Sequence, residues 1–212
     1  PAVNIGCDET QDVGQGRSAA AVTERGAFAV YAEFVNQIAS IVAEHSFEPR
    51  LWADIALREP ARISELHPDL VPIAWGYEPD HPFDEQARTL AASGRPFHLA
   101  CGSSAWRSFT GRTTERRGNL EGCLKAAVEH GARGVLLTEW GDVGHRQVHA
   151  LGRLALAEFA SRAWNPEAEP DDRAISLHVF GDRSLRAADW IAELGNADLA
   201  LRRVSGVPMA DG

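Results

Sequence analysis

Asp8 and Glu9 are adjacent acids placed just after a short apolar run, Val3-Asn4-Ile5, and a turn-permitting Gly6. An isolated Asp-Glu pair more often opens a solvated loop. At the carboxyl end of a buried strand in a parallel α/β protein, however, such a pair sits where chemistry is done. Adjacent side chains on an irregular strand end can aim at neighbouring atoms of one substrate. A nearby Asp8 charge and partial burial of Glu9 would both raise the Glu9 pKa and keep it protonated for use as an acid. The other residues that could do chemistry recur after later apolar runs: Trp52 and Asp54, Trp75 with Tyr77 and Glu78, Trp106, then Trp140 and Asp142. Tryptophan faces stack on sugar C–H faces, and carboxylates accept hydrogen bonds from hydroxyls. This set therefore fits a carbohydrate pocket. Of the six tryptophans, four fall at these run ends; the other two, Trp164 and Trp190, fall on expected helices and are assigned to the core.

The elements that must position these residues alternate. Apolar runs at 2–5, 51–55, 70–75, 97–101 and 134–138 read as strands. Helical periodicity follows at about 24–45 (Phe28, Tyr31, Phe34, Val35, Ile38, Ile41, Val42), weakly at 61–66, and again at 84–93, 119–130 and 150–164. Gly94 and Gly131 supply helix stops. Pro49 is expected to break the chain, and Pro72 makes the third strand the least regular. Residues 165–172, with Pro166 and Pro170, read as a linker, and 173–201 as a helical tail with Leu185, Trp190, Ile191 and Leu194 on one side. Five strand–helix units predict an α/β fold with a parallel sheet and right-handed crossovers. A doubly wound nucleotide-binding sheet would carry a glycine-rich phosphate loop after a strand, and neither phosphate-loop pattern is present. A barrel is favoured, but five units cannot close an eight-stranded one.

Of 212 residues, 21 are basic and 30 acidic, a net charge of −9, which argues against a nucleic-acid partner. No apolar run approaches the roughly 20 residues of a membrane helix. Cys7, Cys101 and Cys123 are odd in number and lack C-x-x-C spacing, which suggests reduced thiols and a cytoplasmic setting. Among the histidines weighed as ligands, His81, His98 and His145, no helical zinc motif is assigned, and neither metal nor cofactor is expected; His98 reads as a satisfied core histidine. Ser103-Ser104 lacks a nucleophile-elbow context and reads as loop.

The stretch Asn4-Ile5-Gly6-Cys7-Asp8-Glu9 resembles the H-x-G-G-D-E motif of family 20 glycoside hydrolases, the β-N-acetylhexosaminidases. Trp52-x-Asp54, Trp75-Gly76-Tyr77 and Thr138-Glu139-Trp140-Gly141-Asp142 fall in the order of that family's later strands. The resemblance covers residues 1 to about 164. It implies strands four to eight of a (β/α)8 TIM barrel, with 165–212 as a linker and C-terminal helical extension. It also implies exo-acting, retaining, substrate-assisted removal of terminal N-acetylhexosamine (GlcNAc or GalNAc), an exception to the two-carboxylate rule. Glu9 would be the general acid and then the base. Asp8 would stabilise the 2-acetamido group as its oxygen attacks C1. Trp52, Trp75, Trp106 and Trp140 would wall the sugar pocket, and Asp142 would hold sugar hydroxyls.

Asn4 stands where the motif has His, and Cys7 where it has the second Gly. The family's seventh-strand Tyr-x-Asp is replaced by His98-Leu99-Ala100-Cys101. Tyr77 is the nearby substitute, since Tyr31 lies on a helix. Two rivals remain open: a two-carboxylate glycosidase for another sugar, with Glu139 or Asp142 as the second acid, and a non-catalytic sugar-binding protein or inactive fragment. A sheet of five barrel strands would leave two open edges and expose Ile5, Val135 and Leu137. Residues 1–212 are therefore expected to be the C-terminal part of a longer chain or to associate as a homo-oligomer.

Overall fold

The computed structural model describes residues 1–105, 108–142, 144–200 and 204. The chain is α/β, with strands β1 (Ala2–Asn4), β2 (Glu48–Trp52), β3 (Val71–Trp75), β4 (His98–Gly102) and β5 (Gly134–Thr138). They form one parallel sheet in sequence order, so β1 and β5 each have a single neighbour in that order. Val3 is exposed, and Ile5, Val135 and Leu137 are only half-buried, as an open sheet requires. No single helix among the described residues is long and apolar enough to cross a membrane.

The second strand begins earlier than expected and ends at Trp52, and residues 54–58 are helical. Pro49 does not break it, for a reason of register. Glu48 N donates to Pro1 O and Trp52 N to Gly6 O, whereas Ala53 N donates to Ile73 O. Even-numbered amides of β2 thus face β1 and odd-numbered ones face β3. The donor that Pro49 lacks lies on the β3 side, one residue before that pairing begins at Arg50 opposite Val71. Pro72 is accommodated in the same way. Gly76 N donates to Ala100 O, so the even-numbered β3 positions face β4, and Pro72 falls before β4 starts.

The chain divides into two compact units, Pro1–Trp75 with Asp84–Leu99 and His130–Gly134, and Gly76–Phe83 with Ala100–Glu129 and Val135–Gly212. In the first unit, α1 (Ala19–Arg25) and α2 (Ala27–Glu44) are split at Gly26, whose φ of 83° no other residue adopts easily. α2 buries Phe28, Tyr31, Ala32, Val35 and Ala39, one face at helical spacing. Phe34 and Ile41, part of the expected periodicity, are exposed. α3 (Asp54–Arg58) and α4 (Phe83–Ala92) follow β2 and β3 in sequence. His98 is buried, but only Nε2 has a partner, the Arg133 Nε–H at 3.4 Å, while Nδ1 has none among the described residues. Burial, followed by the nearby Arg50 and Arg133 charges, holds its pKa below the ordinary histidine value.

The second unit is built on α5 (Thr113–Glu129), α6 (His149–Trp164), α7 (Asp172–Phe180) and α8 (Ala187–Leu194). Leu154, Ile175, Ala188 and Ala192 form its apolar centre. The helical tail is two helices rather than one, because Gly181 closes α7 in a left-handed conformation. The Asp182 carboxylate then accepts the Arg186, Ser184 and Ala187 amides, and these bonds hold its pKa down to about 2. Trp164 and Trp190 do not join the core; they are 92% and 55% exposed. α8 instead turns Ala188 and Ala192 inward. These small residues allow the close approach in which Ala188 N donates to Ser176 Oγ at 3.0 Å. Trp164 falls off the Leu151, Leu154, Ala155 and Glu158 face that α6 buries.

Glu158 is a buried acid on that face. Its carboxylate is 3.0 Å from Arg116 Nη2 and 2.7 Å from Arg117 Nη2, joining α6 to α5. Arg116 is itself buried, and burial pulls its pKa below the ordinary guanidinium value against the opposing pull of Glu158. Truncating the acid would strand a buried cation. Glu158→Ala is therefore expected to lose about 3–5 kcal/mol of unfolding free energy by urea titration, and the paired replacement Glu158→Leu with Arg116→Met much less.

Candidate functional site

The loop after β1 has an unusual backbone. Gly6, Cys7 and Glu9 have φ of 73°, 69° and 50°. The left-handed region costs a non-glycine residue about 1–2 kcal/mol, so Cys7 and Glu9 must be held there. Three tertiary hydrogen bonds do so. Trp52 N donates to Gly6 O at 3.1 Å, the Tyr31 hydroxyl donates to Cys7 O at 3.2 Å, and Glu9 N donates to Asp54 Oδ2 at 3.1 Å. Such bonds contribute about 0.5–1.5 kcal/mol each, and about 1.5–3 where a charge is involved, which is the scale needed to offset the strain. Asn4 adds a local clasp, its Oδ1 accepting Gly6 N at 2.9 Å.

This loop sets Asp8 and Glu9 at the carboxyl end of β1, where they were expected. Asp8 is half-buried. Glu9 is exposed rather than partly buried. Tyr31, set aside in the sequence as a helix residue, is brought under the loop and buried to 3% exposure. Burial, then the Cys7, Asp54 and Asp8 charges around it, push its phenol pKa well above the ordinary value. Burial and the Asp8 charge raise the Cys7 thiol likewise. Asp54 is the first residue of α3, with Oδ2 on the Glu9 amide and 3.7 Å from Arg58 Nη2. Its Oδ1 is buried with no partner among the described residues. Trp52 and Trp75 are half-buried at the last positions of β2 and β3.

The second unit carries the other candidates. Asn119, fully buried on α5, clamps two loops with one amide. Its Nδ2 donates to Gly76 O at 3.0 Å and Glu78 O at 2.9 Å, and its Oδ1 accepts Gly102 N at 3.1 Å. Tyr77 lies close against Gly102, where an added Cβ would be 2.7 Å from the ring. Trp140 then donates its indole N–H to the Tyr77 hydroxyl at 2.7 Å. The bond ties two aromatic rings, of the kind that can stack on a sugar face, to one another through their polar atoms. Gly76 leaves room for the His81 ring, which a side chain there would overlap.

No family model and no curated protein matches this chain.

Glu78, a candidate for binding substrate, is committed to the fold. It forms a two-pronged pair with Arg112, Oε2 to Nη2 at 2.7 Å and Oε1 to Nη1 at 3.4 Å. Arg112 is buried to 2% exposure, so this pair is what compensates its charge. Asp142 is exposed beyond β5. Trp106 lies outside the described residues. Ser103 and Ser104 are buried, and neither hydroxyl has a partner among the described residues. Within one unit, then, Asp8, Glu9 and Asp54 come together with Tyr31. Within the other, Tyr77 joins Trp140, while Glu78 turns to Arg112.

Tyr31, Asn119 and Arg112 were not expected at these sites. Only the helical position of Tyr31 and Asn119 was legible, Arg112 falling in a stretch that reads as loop, and none carries a sequence signal that separates a loop clamp from a surface polar residue. Replacing Asn119 by Ala leaves a buried amide N–H and two carbonyls without their partner, at about 1–3 kcal/mol for each group left unsatisfied. Asn119→Ala is expected to destabilise the protein by about 3 kcal/mol or more in denaturant unfolding. It should also alter near-ultraviolet circular dichroism as Tyr77 and Trp140 lose their fixed contact.

Proposed function

We propose that the protein is an exo-acting retaining glycosidase that removes terminal N-acetylhexosamine by substrate-assisted catalysis. The observation that carries this reading is the left-handed backbone at Cys7 and Glu9, held by Tyr31, Trp52 and Asp54 at the end of β1. Strain maintained by three separate tertiary contacts marks a loop whose shape matters. The shape it maintains presents two adjacent carboxyl groups, one half-buried and one open to a ligand. The likeness of Asn4 to Glu9 to the H-x-G-G-D-E motif supports the same reading, as do the aromatic residues Trp52, Trp75, Tyr77 and Trp140.

In this account Glu9 protonates the glycosidic oxygen as the bond to C1 breaks, while the substrate's acetamido oxygen attacks C1. The half-buried Asp8 stabilises the positive charge that develops on the acetamido nitrogen. Water activated by Glu9 then opens the cyclic intermediate, returning the original anomeric configuration. Asp54 acts through the backbone by fixing the Glu9 amide. Tyr31 is a positioning residue, since its hydroxyl is spent on Cys7 O. Trp52 and Trp75, at the ends of β2 and β3, offer aromatic faces for sugar.

A two-carboxylate mechanism has its own supporting observation, for Asp54 lies against the Asp8-Glu9 loop with one buried oxygen unpartnered among the described residues. Substrate choice separates the two. The full-length protein is expected to hydrolyse a p-nitrophenyl β-N-acetylglucosaminide far faster than the matching β-glucoside. Glu9→Gln should reduce that turnover by about 10²–10⁴ while leaving sugar binding nearly intact, because the amide keeps the shape and loses the proton. Wild-type turnover in Glu9→Gln would remove Glu9 as the acid, and preference for the glucoside would favour the two-carboxylate mechanism.

A further inference from the structure

The connection between β5 and α6 carries a cluster that the glycosidase account does not use. Glu139 is the first residue after β5, His145 lies in mid-loop, and His149 is the first residue of α6. One carboxylate oxygen and one ring nitrogen from each histidine all lie within 4.8 Å of one another. The imidazole centroids are 5.7 Å apart, with planes inclined at 37°. The two histidines are four residues apart, but they are not neighbours on one helix face, since His145 precedes the helix. The loop itself brings them together. Gly144 N donates to Gly141 O at 3.0 Å, and Gly141 has no side chain to keep the His145 Cβ away. Glu139 is seated in the same manner, because its carboxylate occupies the space that a Cβ on Gly152 of α6 would fill.

We propose that Glu139, His145 and His149 form a binding site for a divalent transition-metal ion of the zinc class. The donor set argues for that class. Imidazole nitrogen suits zinc, cobalt, nickel and copper, whereas magnesium and calcium demand oxygen. Three protein ligands, two of them imidazole, leave a tetrahedral ion one open position. Bonds of about 2.0–2.2 Å to a tetrahedral ion set the spacing these atoms must take when it is bound. All three side chains are exposed and can move without disturbing a core. An ion held here would tie the β5–α6 connection at its entry, middle and exit, fixing the segment that carries Trp140 and Asp142. The site stands or falls separately from the glycosidase reading.

The test is titration of the metal-free, full-length protein, without a polyhistidine tag, with Zn2+ by calorimetry and with Co2+ by visible absorption. One equivalent of Zn2+ should bind in competition with Co2+ and in preference to Mg2+ and Ca2+. His145→Ala and His149→Ala should each weaken Zn2+ binding by at least about 100-fold, the upper end of what an outer contact to a metal ligand costs. Gly152→Ala keeps all three ligands and favours the helix, but its methyl displaces the Glu139 carboxylate. It should weaken Zn2+ binding while leaving far-ultraviolet circular dichroism unchanged. Absence of stoichiometric Zn2+ binding to the wild-type protein would overturn the proposal. So would unchanged affinity in the two histidine variants, or in Gly152→Ala.

Discussion

The Asp8-Glu9 loop depends on a backbone that would not hold its shape unaided. Two non-glycine residues sit in the left-handed region at Cys7 and Glu9, directly after a strand of only three residues. Beside local bonds, the tertiary groups that fix this loop come from the end of β2, the N-terminal part of α2 and the start of α3. The helix–strand packing of the first unit therefore sets the aim of the two carboxyl groups. Tyr31 links these levels most directly. The ring is part of the apolar face that α2 buries, and the hydroxyl is the donor to Cys7 O. Its core packing and its loop contact are inseparable.

The second unit solves a similar problem with a different device. There the loops after β3 and β4 are fixed by a buried amide, Asn119, that bonds three backbone groups. An amide suits the task because it offers donors and an acceptor at one point, and a carboxylate could not donate to the two carbonyls. Buried charge is handled with equal economy. Arg112 meets Glu78, and Glu158 meets Arg116 and Arg117. These pairs specify how loops and helices meet more than they add stability, because removing water from each ion offsets much of the attraction.

The strands were legible because apolar runs ended by small or polar residues leave few alternatives. The run at 134–138 coincides with β5. The boundary of β2 was not legible, because Pro49 looks like a break unless the register of its neighbours is known. Asp8, Glu9 and Trp75 were placed correctly at strand ends by pattern alone, whereas Trp52, read as lying inside a strand 51–55, is the last residue of β2. The supporting residues were hidden for a physical reason. Whether Tyr31, Asn119 or Glu158 points inward and finds a partner depends on chain segments tens of residues away. Glu78 shows the converse, since an acid at a promising position is claimed by a buried arginine that follows 34 residues later. Trp164 and Trp190 show that a large apolar side chain on a helix is not thereby core, when alanines supply the packing face.

The central claim is that Asp8 works on the substrate's own acetamido group rather than as a general structural acid. The measurement that tests it most directly is the kcat/KM of Asp8→Asn on paired substrates that differ only in bearing a 2-acetamido or a 2-hydroxy group. An amide keeps the size of the carboxylate and loses the negative charge that stabilises the acetamido nitrogen as it becomes positive. The account predicts a loss on the 2-acetamido substrate much larger than on the 2-hydroxy one. Equal losses on both substrates would contradict it.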